Sequence, residues 1–167
     1  MRMKKVSKRR RKENKTDYAK RLKLLKSGLP RVVFRKSNRY VTAQYVTSSE
    51  AQDKVELSVN SKQLLGYGWP KENVGSLKTT PAEYLTGYLI GKEIVKKKFE
   101  TPIVDFGMHR SLHKAGLYSF LKGLIDAGVK MKADKKVFPG EDRIKGKHMK
   151  KDFSATFEKI KSQIDKK

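Results

Sequence analysis

Residues 31–36 and 39–47 are two runs of β-branched and aromatic side chains parted only by Ser37-Asn38. Runs of this kind form strands, and two turn-forming residues between them fit a two-residue hairpin loop. Residues 50–53 then read as a polar turn. Val55, Leu57 and Val59 alternate with Glu56 and Ser58, which gives a third strand with one wet face. The three strands predict an antiparallel meander. Ser61 to Leu65 can add one helical turn, followed by the loop Gly66-Tyr67-Gly68-Trp69-Pro70. Trp69, the only Trp, fits the plug of a core end better than a platform for a base.

Thr80-Pro81-Ala82-Glu83 has the form of a capping box, with an N-cap, Pro at the first helical position and Glu three residues past the cap. A helix over 80–98 follows, with Leu85, Leu89 and Phe99 as buried candidates. Gly87 and Gly91 each cost about 1 kcal/mol in a helix interior, so the pair implies close backbone approach to the sheet or to RNA. Residues 102–106 form a short buried strand, and the order strand, helix, strand predicts a parallel crossover. A helix over 115–127 is marked by Leu117, Phe120, Leu121, Leu124 and Ile125 and ends at Gly128. Phe153, Phe157, Ile160 and Ile164 mark a last helix.

Ahead of the sheet the chemistry is different. Eight of the first twelve residues are Lys or Arg, none is acidic, and no apolar residue follows Val6, so this arm has nothing to fold against. Extended, it reaches about 40 Å. Residues 17–27 place Tyr18, Leu22, Leu25 and Leu29 on one helical stripe, with Thr16 as N-cap, Gly28-Leu29-Pro30 as the stop, and Lys20, Lys23 and Lys26 facing outward. The expected fold is α/β: a small mixed sheet, made of a three-strand antiparallel meander plus one parallel strand, with packed helices and a disordered basic N-terminal arm. Residues 1–16 form the arm, 17–149 a single α/β domain that begins with a helix, and 150–167 a C-terminal helical extension.

Through Lys26, thirteen basic residues oppose two acidic ones; the formal charge of the whole chain is +24 and its pI about 10.2. Such a surface calls for a polyanion, most directly nucleic acid. The absence of Cys excludes disulfides, thiolate zinc sites and cysteine nucleophiles. Apolar clusters run only a few residues, as in Val32-Val33-Phe34, too short to span a bilayer. Where a signal peptide would need an apolar stretch, the chain has Glu13-Asn14-Lys15-Thr16-Asp17. An RNA-processing nuclease is one alternative, but two-metal chemistry needs converging acids, and Asp105, Glu93 and Asp126 have no spacing that converges. Asp105 reads as a turn or cap residue. His109 and His113 are four apart without the Glu of a zinc-protease helix. A non-specific nucleic-acid compactor is the other alternative, against which stands the lack of an apolar seam for dimerisation.

Several strings occur together and in order. They are Asp17-Tyr18-Ala19-Lys20-Arg21-Leu22, the stretch from Pro30 to Tyr40, Tyr67-Gly68-Trp69, Pro81 to Gly87, Lys122 to Gly128, and Phe138-Pro139-Gly140-Glu141-Asp142-Arg143-Ile144. With these the chain resembles the eighteenth large-subunit ribosomal protein family in its archaeal and eukaryotic branch. The resemblance implies a structural protein of the cytoplasmic large ribosomal subunit. Such a protein would bind 5S rRNA in the central protuberance and help attach it to the large-subunit rRNA beside neighbouring ribosomal proteins. It also implies no cofactor, catalysis, membrane or small-molecule substrate. Irregular RNA is recognised through phosphates, shape and stacking, for which an Arg fork serves better than Lys. The expected RNA-binding residues are Lys4, Lys5, Lys8, Arg9, Arg10, Arg11, Lys12 and Lys15 on the arm, with Tyr18 and Arg21 on the first helix. The hairpin supplies Arg31, Arg35, Lys36, Ser37, Asn38, Arg39 and Tyr40, and the loop after the buried strand supplies His109 and Arg110.

Overall fold

The computed structural model describes residues 6–149 and 152–166. Two short helices, α1 (Arg9–Lys12) and α2 (Tyr18–Lys26), precede the strands β1 (Arg31–Lys36), β2 (Val41–Ser49) and β3 (Gln52–Asn60). Then come α3 (Thr80–Lys96), β4 (Ile103–Asp105), α4 (Gly116–Asp126), α5 (Glu141–Lys145) and α6 (Ser154–Asp165). The sheet order is β3-β2-β1-β4, antiparallel through the first three and parallel between β1 and β4. This is the mixed α/β sheet expected. Register sets Val32 opposite Tyr45 and Phe34 opposite Ala43, and these pair onward to Leu57 and Val59. One face of the sheet is therefore apolar and buried under α3.

Both hairpin turns differ from the sequence expectation. The β1–β2 loop has four residues, because Ser37 clasps Tyr40: its N–H and hydroxyl donate to the Tyr40 carbonyl at 2.8 and 2.9 Å, and its Oγ accepts from the Tyr40 N–H at 2.9 Å. Arg39 and Tyr40 are thus drawn out of the strand. The β2–β3 turn is the tighter one, with Glu50 and Ala51 both at positive φ (48° and 65°), as a primed two-residue turn requires.

α3 is buried on every side from Pro81 to Gly91, since the sheet covers one flank and α4, α5 and α6 the others. Its start corrects the capping-box reading. Thr79 is the N-cap, its hydroxyl donates to the Ser76 carbonyl at 2.8 Å, and Glu83 falls one position too late to reach back. The paired glycines also have a different neighbour from the one expected. A Cβ on Gly91 would lie 2.6 Å from that of Ala127, and one on Gly87 would overlap the Phe120 carbonyl. Opposite them, a Cβ on Gly123 would overlap the Tyr84 carbonyl. The close approach is between α3 and α4, not to the sheet or RNA.

The C-terminal helix is part of the core. Phe153, Phe157, Ile160 and Ile164 are buried, and the Phe153 ring lies 4.6 Å from that of Trp69. Trp69 is the expected plug, 2% exposed, with its indole N–H donated to the Asn73 carbonyl at 3.1 Å. Tyr88 donates to Asp165 at 2.6 Å, tying the end of α6 to α3. Among the described residues no helix is long and apolar enough to cross a membrane.

Candidate nucleic-acid interface

α2 sits rotated from the orientation its pattern suggests, with Lys20, Arg21, Leu24 and Leu25 half-buried. Its N-cap is Asp17 rather than Thr16, with Oδ1 accepting from the N–H groups of Ala19 (3.1 Å) and Lys20 (3.3 Å). None of its residues is buried, and Leu22 is 55% exposed. The half-buried face is mixed, basic and apolar: Lys20 donates to the Gly107 carbonyl at 3.1 Å, and Arg21 meets Asp53 at 2.9 Å, beside Leu24 and Leu25. The carboxylate and carbonyl beneath the helix hold its two basic side chains there.

The same acidic surface corrects the reading of Arg31 as an RNA ligand. Arg31 is 1% exposed; its guanidinium donates to Asp53 at 2.7 Å and to Ser48 at 2.9 Å, and lies 3.6 Å from Asp105. A buried guanidinium with these partners has no surface left for a phosphate. Partial burial works against the charge on Asp53, yet hydrogen bonds from Ser48 and Arg21 and the charge of Arg31 hold its carboxyl below the ordinary range. Asp105 has the turn role expected of it, accepting from the Gly107 N–H at 2.8 Å.

At the other end of β1, Lys36 reaches inward to Glu83. Nζ lies 2.6 Å from Oε1 of a carboxylate that is 1% exposed. The contact is an ion pair at oblique angle, and neither Glu83 oxygen has an aligned hydrogen-bond donor. Burial pushes the Glu83 carboxyl above its ordinary range, and Lys36 opposes that shift. The carboxylate lies against Gly116, the first residue of α4, where a Cβ would overlap it. The positive end of a helix favours an anion there.

Arg35, near the end of β1, and Arg39, within the clasped loop, are both exposed, and their side chains make no hydrogen bond or ion pair with any described residue. Asn38 at the tip accepts from Lys78 at 3.4 Å, and Tyr40 is half-buried against the core. Register puts Arg35 on the same side of the sheet as Val33, away from the α3 core. A cleft of about 680 Å³ lies at the C-terminal ends of the parallel strands β1 and β4, lined from β1 by Val33 and Arg35 of that side and by Phe34 and Lys36 of the other. Arg10, Lys15, Arg21, Arg35, Lys36 and His109 of the expected set come together around it. Asn14, Lys20, Phe106 and Met108 also line it. Sequence reasoning had Lys20 only as one of three outward lysines and missed Asn14, Phe106 and Met108; the place of Phe106 just past β4 is the one signal that could have drawn attention to it.

α1 is one helical turn inside a stretch expected to lack structure; Arg9 and Lys15 pair with Glu13, and Arg11 lies 3.5 Å from Asp17 and 3.6 Å from the Met108 sulfur. The Lys8 ammonium sits 4.6 Å from the centre of the Tyr18 ring. Lys12 and Arg110 are exposed, whereas Lys4 and Lys5 lie outside the described residues. His109 accepts from the Lys36 N–H through Nε2 at 3.4 Å; burial and the Lys36 charge push its imidazole below the ordinary range.

Comparison with known proteins gives the family. Residues 2–101 match the family model described as ribosomal large subunit proteins 60S L5 and 50S L18. Relatives named large ribosomal subunit protein uL18 include one from Korarchaeum cryptofilum, 44% identical over 145 residues, which are 87% of this chain and 72% of the relative. Those from Caldivirga maquilingensis and Methanococcus maripaludis are 41% and 43% identical, covering 87% and 85% of this chain and 69% and 72% of theirs. The chain therefore belongs to the uL18 family of large-subunit ribosomal proteins, in its archaeal form, and its role is structural rather than enzymatic.

Proposed function

We propose that this protein binds 5S rRNA in the central protuberance of the large subunit and helps fasten it to the large-subunit rRNA, next to neighbouring ribosomal proteins. The observation that carries the reading is the pair of unengaged guanidiniums, Arg35 near the end of β1 and Arg39 in the adjoining loop closed by the Ser37 clasp. Pre-positioned forks lose little freedom on meeting phosphates. Beside them the arm, residues 1–16, supplies charge that need not be ordered beforehand, with Lys4, Lys5, Lys8, Arg9, Arg10, Arg11, Lys12 and Lys15 as phosphate ligands. Tyr18, Arg21, Asn38, Tyr40, His109 and Arg110 complete the face, while Ser37 acts through the loop and Lys36 through the fold. Residues 152–166, packed through Phe153, Phe157, Ile160 and Ile164, serve the body rather than the RNA.

The test is a titration of the whole protein with a 5S transcript and with a scrambled transcript of equal length and composition, at several salt concentrations. The expected result is at least about a hundredfold preference for 5S. Equal affinities would show a charge binder with no particular RNA.

A further inference from the structure

The cleft beside Arg35 has features that phosphate neutralisation does not require. Its volume, about 680 Å³, lies within the range of about 300–1,000 Å³ typical of small-molecule sites, whereas a backbone phosphate needs only an exposed cation. Its lining is largely polar and charged but includes two rings: Phe106 and His109 each stand edge-on to the buried Phe34, with ring centres 6.0 Å away at 81° and 74°. Met108 adds a polarizable wall. Along the rim Arg35 is unengaged, while Lys20 and Arg21 are held by Gly107 and Asp53. The ligand chemistry this fits is a flat ring joined to a phosphate.

We propose that the cleft receives one unstacked nucleotide of the bound RNA, its base laid on Phe106 and His109 and its phosphate on Arg35. This rests on the RNA-binding reading above and adds a subsite to it. His109 is suited to the role because Nε2 accepts from the Lys36 N–H, which places the proton of the neutral imidazole on Nδ1 and leaves an uncharged aromatic face for stacking. The Asn14 amide, also in the lining, provides a polar group. Stacking on an aromatic ring accepts any base; the Asn14 amide would supply preference among them.

Two experiments test it. Adenosine 5′-monophosphate, titrated into the wild-type protein and followed by NMR, should shift Phe106, Met108 and His109 resonances saturably, with ring-current changes that ribose 5-phosphate does not produce. Phe106→Leu and His109→Gln should each weaken 5S rRNA binding about tenfold, in line with the loss of one stacked base, without changing the salt slope. Identical shifts from the two probes, together with wild-type 5S affinity in both variants, would overturn the nucleotide site while leaving 5S binding intact. If the wild type fails to prefer 5S at all, the broader reading falls, and the monophosphate titration alone then decides the pocket.

Discussion

Replacing Lys36 with Met should destabilise the protein by about 3 kcal/mol at pH 7. The carboxylate it leaves behind, Glu83, is 1% exposed and has no aligned donor. Removing one member of a buried pair costs about 3–5 kcal/mol. A proton offers a cheaper escape: bringing a carboxyl of ordinary value 4.5 to its neutral form at pH 7 costs about 3.4 kcal/mol, at 1.36 kcal/mol per pH unit. That route caps the loss. The sign follows from the direction of the shift. A carboxyl raised in the folded state favours folding most when protonated, so the deficit of the variant should shrink as pH falls and close near pH 4.5. Lys36→Met/Glu83→Gln should recover most of the loss, since a neutral amide in the same space asks for no counter-ion. Urea unfolding read by the fluorescence of Trp69, the sole Trp and fully packed, at pH 5, 6 and 7 measures all of this. A loss below about 0.5 kcal/mol at pH 7 with no pH dependence would refute the argument.

Asp53→Asn should cost about 2 kcal/mol at pH 7 by weakening the partnership of the buried Arg31. Because the Asp53 carboxyl is held below its ordinary range, its contribution is present above about pH 4 and lost as pH falls through the folded value, so urea midpoints of variant and wild type should converge in acid. Gly123→Ala should cost about 2–3 kcal/mol by overpacking the α3–α4 crossing, whereas Gly66→Ala, with nothing within 4 Å of the added Cβ, should unfold like the wild type.

The sheet and most helices were legible because their signals are local. Val32, Phe34, Val41 and Ala43 mark strands by residue type, Gly128 at φ +106° ends α4 as its position suggests, and Trp69 lies between breakers that leave it one place to go. What escaped depends on what lies across a contact. Thr80 and Glu83 have capping-box spacing, but the clasp of Thr79 on Ser76 starts the helix one residue early and releases Glu83 to the interior. Arg31 reads as surface charge until Asp53 and Asp105, distant in sequence, are brought against it. Tyr18, Leu22 and Leu29 of the α2 stripe are exposed and only Leu25 is half-buried, because the body under the helix offers a carboxylate and a carbonyl to Arg21 and Lys20. At the interface, the charge of the arm and hairpin was visible in composition, while the division of labour along β1 was not. Arg31 and Lys36 hold the fold, and Arg35 between them is free.

That division dictates where the RNA-binding account is tested. Charge reversal at Lys36 would put a second carboxylate against Glu83 and unfold the protein, so the decisive variant is Arg35→Gln/Arg39→Gln, which breaks no described contact. The measurement is the salt dependence of its affinity for 5S rRNA. Two lost phosphate contacts should reduce the magnitude of the log–log slope by about 1.4–1.8, with weaker binding and an unchanged urea midpoint. An unaltered slope and affinity would contradict the placement of the RNA on this hairpin.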